Sequence, residues 1–240
     1  MRRGLALLLM VGFLILVAGC ASTRALNADE LAQLRAAPEL RVVHALPSTL
    51  SVMTPGRTTA GLIGGALGGA IGGAIVGGIV AANARSEGKQ LVADYRLDDP
   101  AAVVKERVVA ALVEQQALPG SLTSVPSAVV STDADALAKA FPGATILAFR
   151  TDRWEINHFG SEYGVIYHAS AHLVRTGDAK EMWKLKCELD GKDFPKLSMA
   201  ELKADDGVLL RTRLQRSAEL CAEKLVQQIM GSTISASVKP

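Results

Sequence analysis

The chain has 240 residues, enough for one ordinary domain with extensions. It is 49% hydrophobic but only 4% aromatic, so its apolar content is mainly aliphatic. The net charge of +2 comes from Arg2 and Arg3: without them 24 basic residues face 24 acidic ones, which excludes the electrostatic footprint of a nucleic-acid binder.

Met1-Arg2-Arg3 is a short positive start, and Gly4 to Ala18 is an uninterrupted apolar run. At about 15 residues the run is shorter than the roughly 20 that a membrane-spanning helix needs. A positive start, an apolar middle and a small-residue end make a secretion signal. That end reads Leu16-Val17-Ala18-Gly19-Cys20. It resembles the bacterial lipobox, in which a leucine precedes a small pair and an invariant cysteine. The resemblance implies cleavage after residue 19, a diacylglycerol on the Cys20 thiol and acylation of the new amino group. Each buried methylene contributes roughly 0.8 kcal/mol, and two or more chains anchor stably. Ala21 stands where an aspartate would hold an enterobacterial member in the inner membrane, so the resemblance implies the outer membrane. An ordinary signal peptide or an uncut anchor, with Cys20 incidental, is the alternative.

Residues 20–57 read as a tether. Asn27 onward can hold one short helix, and residues 40–46 form a candidate strand stopped by Pro47. Residues 58–85 then form a glycine-rich apolar segment. Gly61, Gly65, Gly69, Gly73 and Gly77 keep a strict four-residue period, which lays a flat stripe along a helix. This resembles the glycine-zipper segments of bacterial envelope lipoproteins. Its 27 uncharged residues would make a helix of about 40 Å, against an apolar layer of roughly 30 Å. Nine glycines would cost a helix in water on the order of 9 kcal/mol relative to alanine. The expectation is therefore a helix inside a membrane or a homo-oligomer. A low-complexity loop or a packed buried helix pair is the alternative.

Residues 90–231 have the composition of a globular domain. Asp98-Asp99-Pro100 opens a helix, with a capping side chain and Pro at the first helical position. Val104, Val108 and Leu112 follow at helical spacing. Residues 122–131 read as a strand that Pro126 confines to an edge or a bulge. Thr132-Asp133 begins a short helix, and residues 144–151 form a buried strand. Residues 163–176 and 181–189 alternate, joined by the turn Thr176-Gly177-Asp178, so the last three strands should form an antiparallel meander. Ser198 and Glu201 make a capping box, residues 209–230 an amphipathic helix closed by Gly231, and residues 232–240 a disordered tail. The expected fold is α+β, a small mixed and antiparallel sheet with helices on one face. In element order the domain is similar to the curli-secretion (CsgG) and LpoB-like envelope-assembly lipoproteins. No functional residue carries over from that likeness.

With Cys20 lipidated, Cys187 and Cys221 remain as an even pair in an oxidising compartment, one facing inward on a strand and one on the apolar face of the last helix. They are expected to form a disulfide. His168 and His172 share a strand face about 13 Å apart, too far to hold one ion together, and are expected to be exposed or half-buried. Asp133 with Asp135, and Asp205 with Asp206, fall at helix starts, where acids favour the dipole. Residues 154–158 (Trp-Glu-Ile-Asn-His) read as a polar-aromatic loop. No nucleophile, metal or phosphate-loop motif appears, so no catalytic site, metal or cofactor is expected. The expected function is structural or assembly work at the envelope, through membrane lipid and a protein partner. An oligomeric pore built on the glycine helix, and an envelope enzyme with an unrecognised site, are the rivals.

Overall fold

The computed structural model describes residues 25–55 and 69–237, with side chains for 25–55 and 81–231. Cys20, Gly61 and Gly65 lie outside the described residues. In chain order the elements are α1 (Ala28–Arg35), β1 (Leu40–His44), β2 (Ser51–Met53), α2 (Gly69–Tyr95), α3 (Pro100–Glu114) and β3 (Leu122–Ser124), then α4 (Ala134–Ala140), β4 (Thr145–Phe159), β5 (Glu162–Arg175), β6 (Lys180–Leu189) and α5 (Met199–Ser237).

The strands form one six-stranded mixed sheet in the order β3-β1-β4-β5-β6, with β2 added beside the far half of β4. β1 runs parallel to both β3 and β4, while β4, β5 and β6 form the antiparallel meander. α3 and α5 pack side by side on one face, joined by α1 and by the C-terminal half of α2. The short α4 lies on the opposite face, over Val43, Ile146, Ala148 and Val174.

The stretch read as a tether is built into this sheet. Leu40 and Val42 of β1 enter the main core and Val43 the smaller one, so β1 is buried on both faces, as parallel strands are. Leu26, Leu31 and Leu34 are buried ahead of it. Asn27 caps α1, its side chain accepting from the Glu30 amide while the Glu30 carboxylate accepts from the Asn27 amide.

α2 continues past Arg85 to Tyr95, and its packed part lies at that C-terminal end. Ala84, Gly88 and Leu91 form its buried stripe. A Cβ at Gly88 would stand 1.7 Å from the Leu50 carbonyl oxygen, so only glycine lets α2 meet the chain entering β2. The Asp99 carboxylate accepts from the Ala101 amide at the start of α3, with Pro100 at the first helical position.

Other boundaries also differ from expectation. β3 is regular only to Ser124. Beyond it, Val125 and Val129 donate to the Val42 and His44 carbonyls on either side of Pro126, which has no amide to give. β4 runs on to Phe159, so Trp154 to His158 are strand and not loop. A register shift between Thr151 and Arg153 resets the alternation and turns Trp154 and Ile156 into the core. α5 starts at the Ser198–Glu201 capping box, breaks at Ala204–Gly207, and passes through Gly231 to Ser237. Gly207, at φ 70°, sits where a Cβ would meet the Tyr95 ring at 2.4 Å. Gly231 lies 3.0 Å, measured from the Cβ it lacks, from the Ala25 methyl, so it is a packing position and not a helix stop.

Candidate functional site

Two polar clusters lie on opposite faces of the sheet. The first is on the face away from α3 and α5. Ser170 and His172 stand two residues apart on β5, so both point the same way. The Ser170 hydroxyl is 2.9 Å from His172 Nε2, and His172 Nδ1 is 2.6 Å from a Glu181 carboxylate oxygen on β6. A register shift between Leu173 and Val174 brings Glu181 within reach of His172. Arg150, Lys184 and Lys186 flank the pair in register. Burial lowers the His172 pKa, the Glu181 hydrogen bond opposes that, and nearby Lys184 and Arg150 add to the lowering. His172 therefore has a reduced tendency to hold a second proton.

Serine, histidine and glutamate in this order resemble a nucleophile, its base and an orienting acid. The surroundings do not complete that chemistry. Ser170 is 0% exposed. Around Ser170, β5 is paired on both sides, by β4 and by β6, so the backbone beside the hydroxyl is committed to the sheet. What the arrangement achieves is satisfaction of a buried hydroxyl and a buried imidazole.

The second cluster lies under α3. His44, at the end of β1, is buried and has its Nε2 3.6 Å from Asp99 at the start of α3. The buried Lys105 ammonium donates to the Val125 carbonyl at 3.1 Å. Burial lowers the His44 pKa and Lys105 lowers it further, against Asp99. Burial raises that of Asp99, against its hydrogen bond from Ala101 and the nearby His44. Both shifts favour neutral forms, so the contact is not a firm ion pair. Alongside, the Tyr167 hydroxyl is 3.3 Å from Thr151 Oγ1 and burial raises its pKa.

The expected site residues fall as follows. Cys187 on β6 and Cys221 on α5 are joined by a disulfide with Cα atoms 5.3 Å apart. Gly69, Gly73 and Gly77 lie within α2. His168 is half-buried, 3.6 Å from Asp190. His172, expected to be exposed or half-buried, is 3% exposed, because its neighbours on the sheet supply two hydrogen bonds. Asp133 caps α4 by position and Asp135 lies in its first turn. Asp205 and Asp206 take φ of 50° and 55° at the α5 break, just before the long helical stretch. Among the described residues no group of three or more His, Cys, Asp or Glu could hold a metal ion, and no helix is long and apolar enough to cross a membrane. A cavity of about 210 Å³ opens between the starts of α3 and of the long stretch of α5, lined by Leu97, Pro100, Val103, Val208 and Arg211.

The chain matches no model of a known protein family. No curated protein matches it in sequence. Among the solved structures with partial likeness are these three. One is a protein of Xanthomonas campestris assigned to the DUF330 family, at 14% identity and a TM-score of 0.32, covering 56% of this chain and 64% of that one. The chain thus spans less than two thirds of the Xanthomonas protein. The second is a lipoprotein of Neisseria meningitidis, at 13% identity and a TM-score of 0.29, covering 75% of this chain and 99% of that one. The third is a hypothetical protein of Chlamydia trachomatis, at 7% identity and a TM-score of 0.27, covering 54% and 80%. At such TM-scores the likeness carries no argument about chemistry.

Proposed function

We propose that this chain is an exported, lipid-anchored envelope protein whose folded domain has a structural or assembly role, binding another envelope component. The disposition of the three cysteines carries the reading. Two are joined within the core, as suits an oxidising compartment, and the third closes the apolar leader at Leu16-Val17-Ala18-Gly19-Cys20. The absence of aspartate at Ala21 supports the outer membrane. The element order, similar to that of the curli-secretion and LpoB-like lipoproteins, supports an assembly role. The Ser170–His172–Glu181 cluster does not favour a catalytic reading, because its hydroxyl is sealed in a stretch of strand paired on both sides.

The test is membrane fractionation of the wild type beside Cys20→Ala, with mass spectrometry of the purified amino terminus. Wild type should sediment with the outer membrane and carry acyl mass on Cys20, and the variant should become soluble. An unmodified amino terminus on membrane-bound wild type overturns the reading.

The second reading is an oligomeric pore or export component in which glycine helices from several copies pack together. The helical run from Gly69, with its four-residue glycine period, favours it. Cross-linking in membranes should then yield one discrete ring size; monomers alone would exclude it.

A further inference from the structure

On the side of β4 that carries β1 and β2, the sheet has a gap. β1 pairs with β4 as far as His44 and Phe149, and β2 begins only at Ser51 and Glu155. The Ala45 amide still donates to the Phe149 carbonyl at 2.8 Å. In a parallel ladder the next donor comes two residues on. That residue is Pro47, which has no amide, so the chain leaves β4 there and returns at β2. The register shift between Thr151 and Arg153 falls within the same gap.

A cavity of about 320 Å³ opens there, lined by Ser48 and Thr49 from the returning chain, Arg85 from α2, and Asp152, Arg153 and Trp154 from β4. Gly88, one turn along α2 from Arg85, rests on the Leu50 carbonyl, and this contact fixes α2 beside the cavity. Most charges of the wall are already matched. Asp152 accepts from Arg150 Nε at 2.6 Å, and Arg153 holds Glu155 through Nε and Nη2 at 3.0 to 3.1 Å. Arg85 is exposed and has no ion pair among the described residues, so the wall carries one surplus cation. Two polar groups of the wall are also unmatched. Trp154 is 4% exposed, and its indole N–H has no hydrogen-bond partner among the described residues; nor has the Ser48 hydroxyl. Buried donors are ordinarily satisfied, so a pair of them at one cavity calls for an acceptor.

We propose that this cavity binds a carboxylate, with the Arg85 guanidinium as its charge partner and the Ser48 hydroxyl and Trp154 indole N–H as neutral donors. A guanidinium offers two parallel N–H groups to the two oxygens of one carboxylate. A single surplus cation matches a monoanion and not a doubly charged phosphate. The volume lies at the small end for ligand pockets, so it takes a small organic acid or the last residues of a peptide chain. The site does not depend on acylation of Cys20.

The test is an NMR titration of the full-length, nitrogen-15-labelled protein in dodecyl maltoside micelles at constant ionic strength. The probes are acetate, trialanine, the C-terminal amide of trialanine, and inorganic phosphate. The indole N–H signal of Trp154, assigned through Trp154→Phe, is followed beside that of Trp183. Acetate or trialanine should shift the Trp154 signal saturably and leave Trp183 unmoved. Arg85→Gln should weaken that binding by about tenfold or more, the loss of a charge-assisted hydrogen bond. Arg85 is exposed, so the variant should keep the wild-type urea midpoint. Trialanine binding more tightly than acetate supports a peptide carboxyl terminus as the source, and equal binding supports a free acid. The proposal is overturned if neither probe gives a saturable shift, if the amide binds as well as trialanine, if phosphate binds more tightly than both carboxylates, or if Arg85→Gln binds like wild type.

Discussion

Beneath α3 and α5, Tyr167, Leu173, Trp183 and Leu185 fill the covered face of the sheet; one residue along the same strands, Ser170 and His172 are equally sealed on the open face. The two faces reach burial by different means. On the covered face, helices remove aliphatic and aromatic area from water, at roughly 25 cal/mol per Å². On the open face, among the described residues only α4 packs, and only at one end. There the neighbours in the sheet do the sealing: Arg150 and Lys186 flank Ser170 in register, and Lys184 stands opposite His172. Low exposure is thus a poor guide to hydrophobicity in this fold. The covered face should be sensitive to volume and cross-links, and the open face to protonation.

The strongest way to break the covered face is to cut its cross-link. Cys187→Ser with Cys221→Ser opens a loop of 34 residues. The chain-entropy relation assigns that loop about 4 kcal/mol. Urea midpoints should fall accordingly, and an unchanged midpoint would mean that the bond adds nothing to the packing already there. Next comes Gly88→Ala. The new methyl would fall on the Leu50 carbonyl, so α2 must lift from β2. The expected cost is about 3 kcal/mol, at the upper end for overpacking. Hydrogen exchange should show faster opening at Leu91 and Val52 than at Ala169.

The meander was legible in the sequence because its evidence is local. Trp183, Leu185, Cys187 and Leu189 alternate with charged residues, and a Gly-containing turn precedes them. The capping signals at Asp99 and at Ser198–Glu201 were local too, and both appear as hydrogen bonds. The disulfide followed from inward positions on two well-read elements. What stayed hidden depended on distant pairing. Nothing near β1 says that it lies between β3 and β4, which follow it by some 80 and 100 residues. The shift between Thr151 and Arg153 made β4 look as if it ended at Thr151, because a bulge interrupts the very alternation used to find strands. The contact of His172 with Glu181 depended on a second shift, between Leu173 and Val174. Gly231 was misread because a glycine at a helix stop and one at a close contact look alike in sequence.

A smaller perturbation probes the polar cluster under α3. Lys105→Met keeps the stem that passes beneath the helix, removes the charge and leaves the Val125 carbonyl without its donor. Loss of one such bond costs about 1 kcal/mol, partly offset by no longer burying an ammonium. Stability should therefore change little. The clearer effect is on His44, whose proton affinity Lys105 holds down. NMR titration should find the His44 pKa raised in the variant. A pKa that does not move would place the lowering on burial alone.

The smallest expected effect belongs to the open face and is read as pH dependence. His172 has a folded pKa below its ordinary 6.5, chiefly through burial. In the unfolded chain the imidazole takes up its proton first, so acid favours unfolding. The contribution is complete above pH 6.5 and is lost as pH falls below that value toward the folded one. His44 is shifted in the same direction and contributes to the same window, so wild type alone does not separate them. Glu181→Gln does, because Glu181 opposes the lowering at His172 and is hydrogen-bonded to that imidazole, while His44 sits across the sheet. With the carboxylate neutralised, burial and the cations at Lys184 and Arg150 act unopposed on His172. Stability measured against pH should then fall more steeply below pH 6.5 in Glu181→Gln than in wild type. Parallel curves would show that the neighbours on the open face seal His172 without setting its charge.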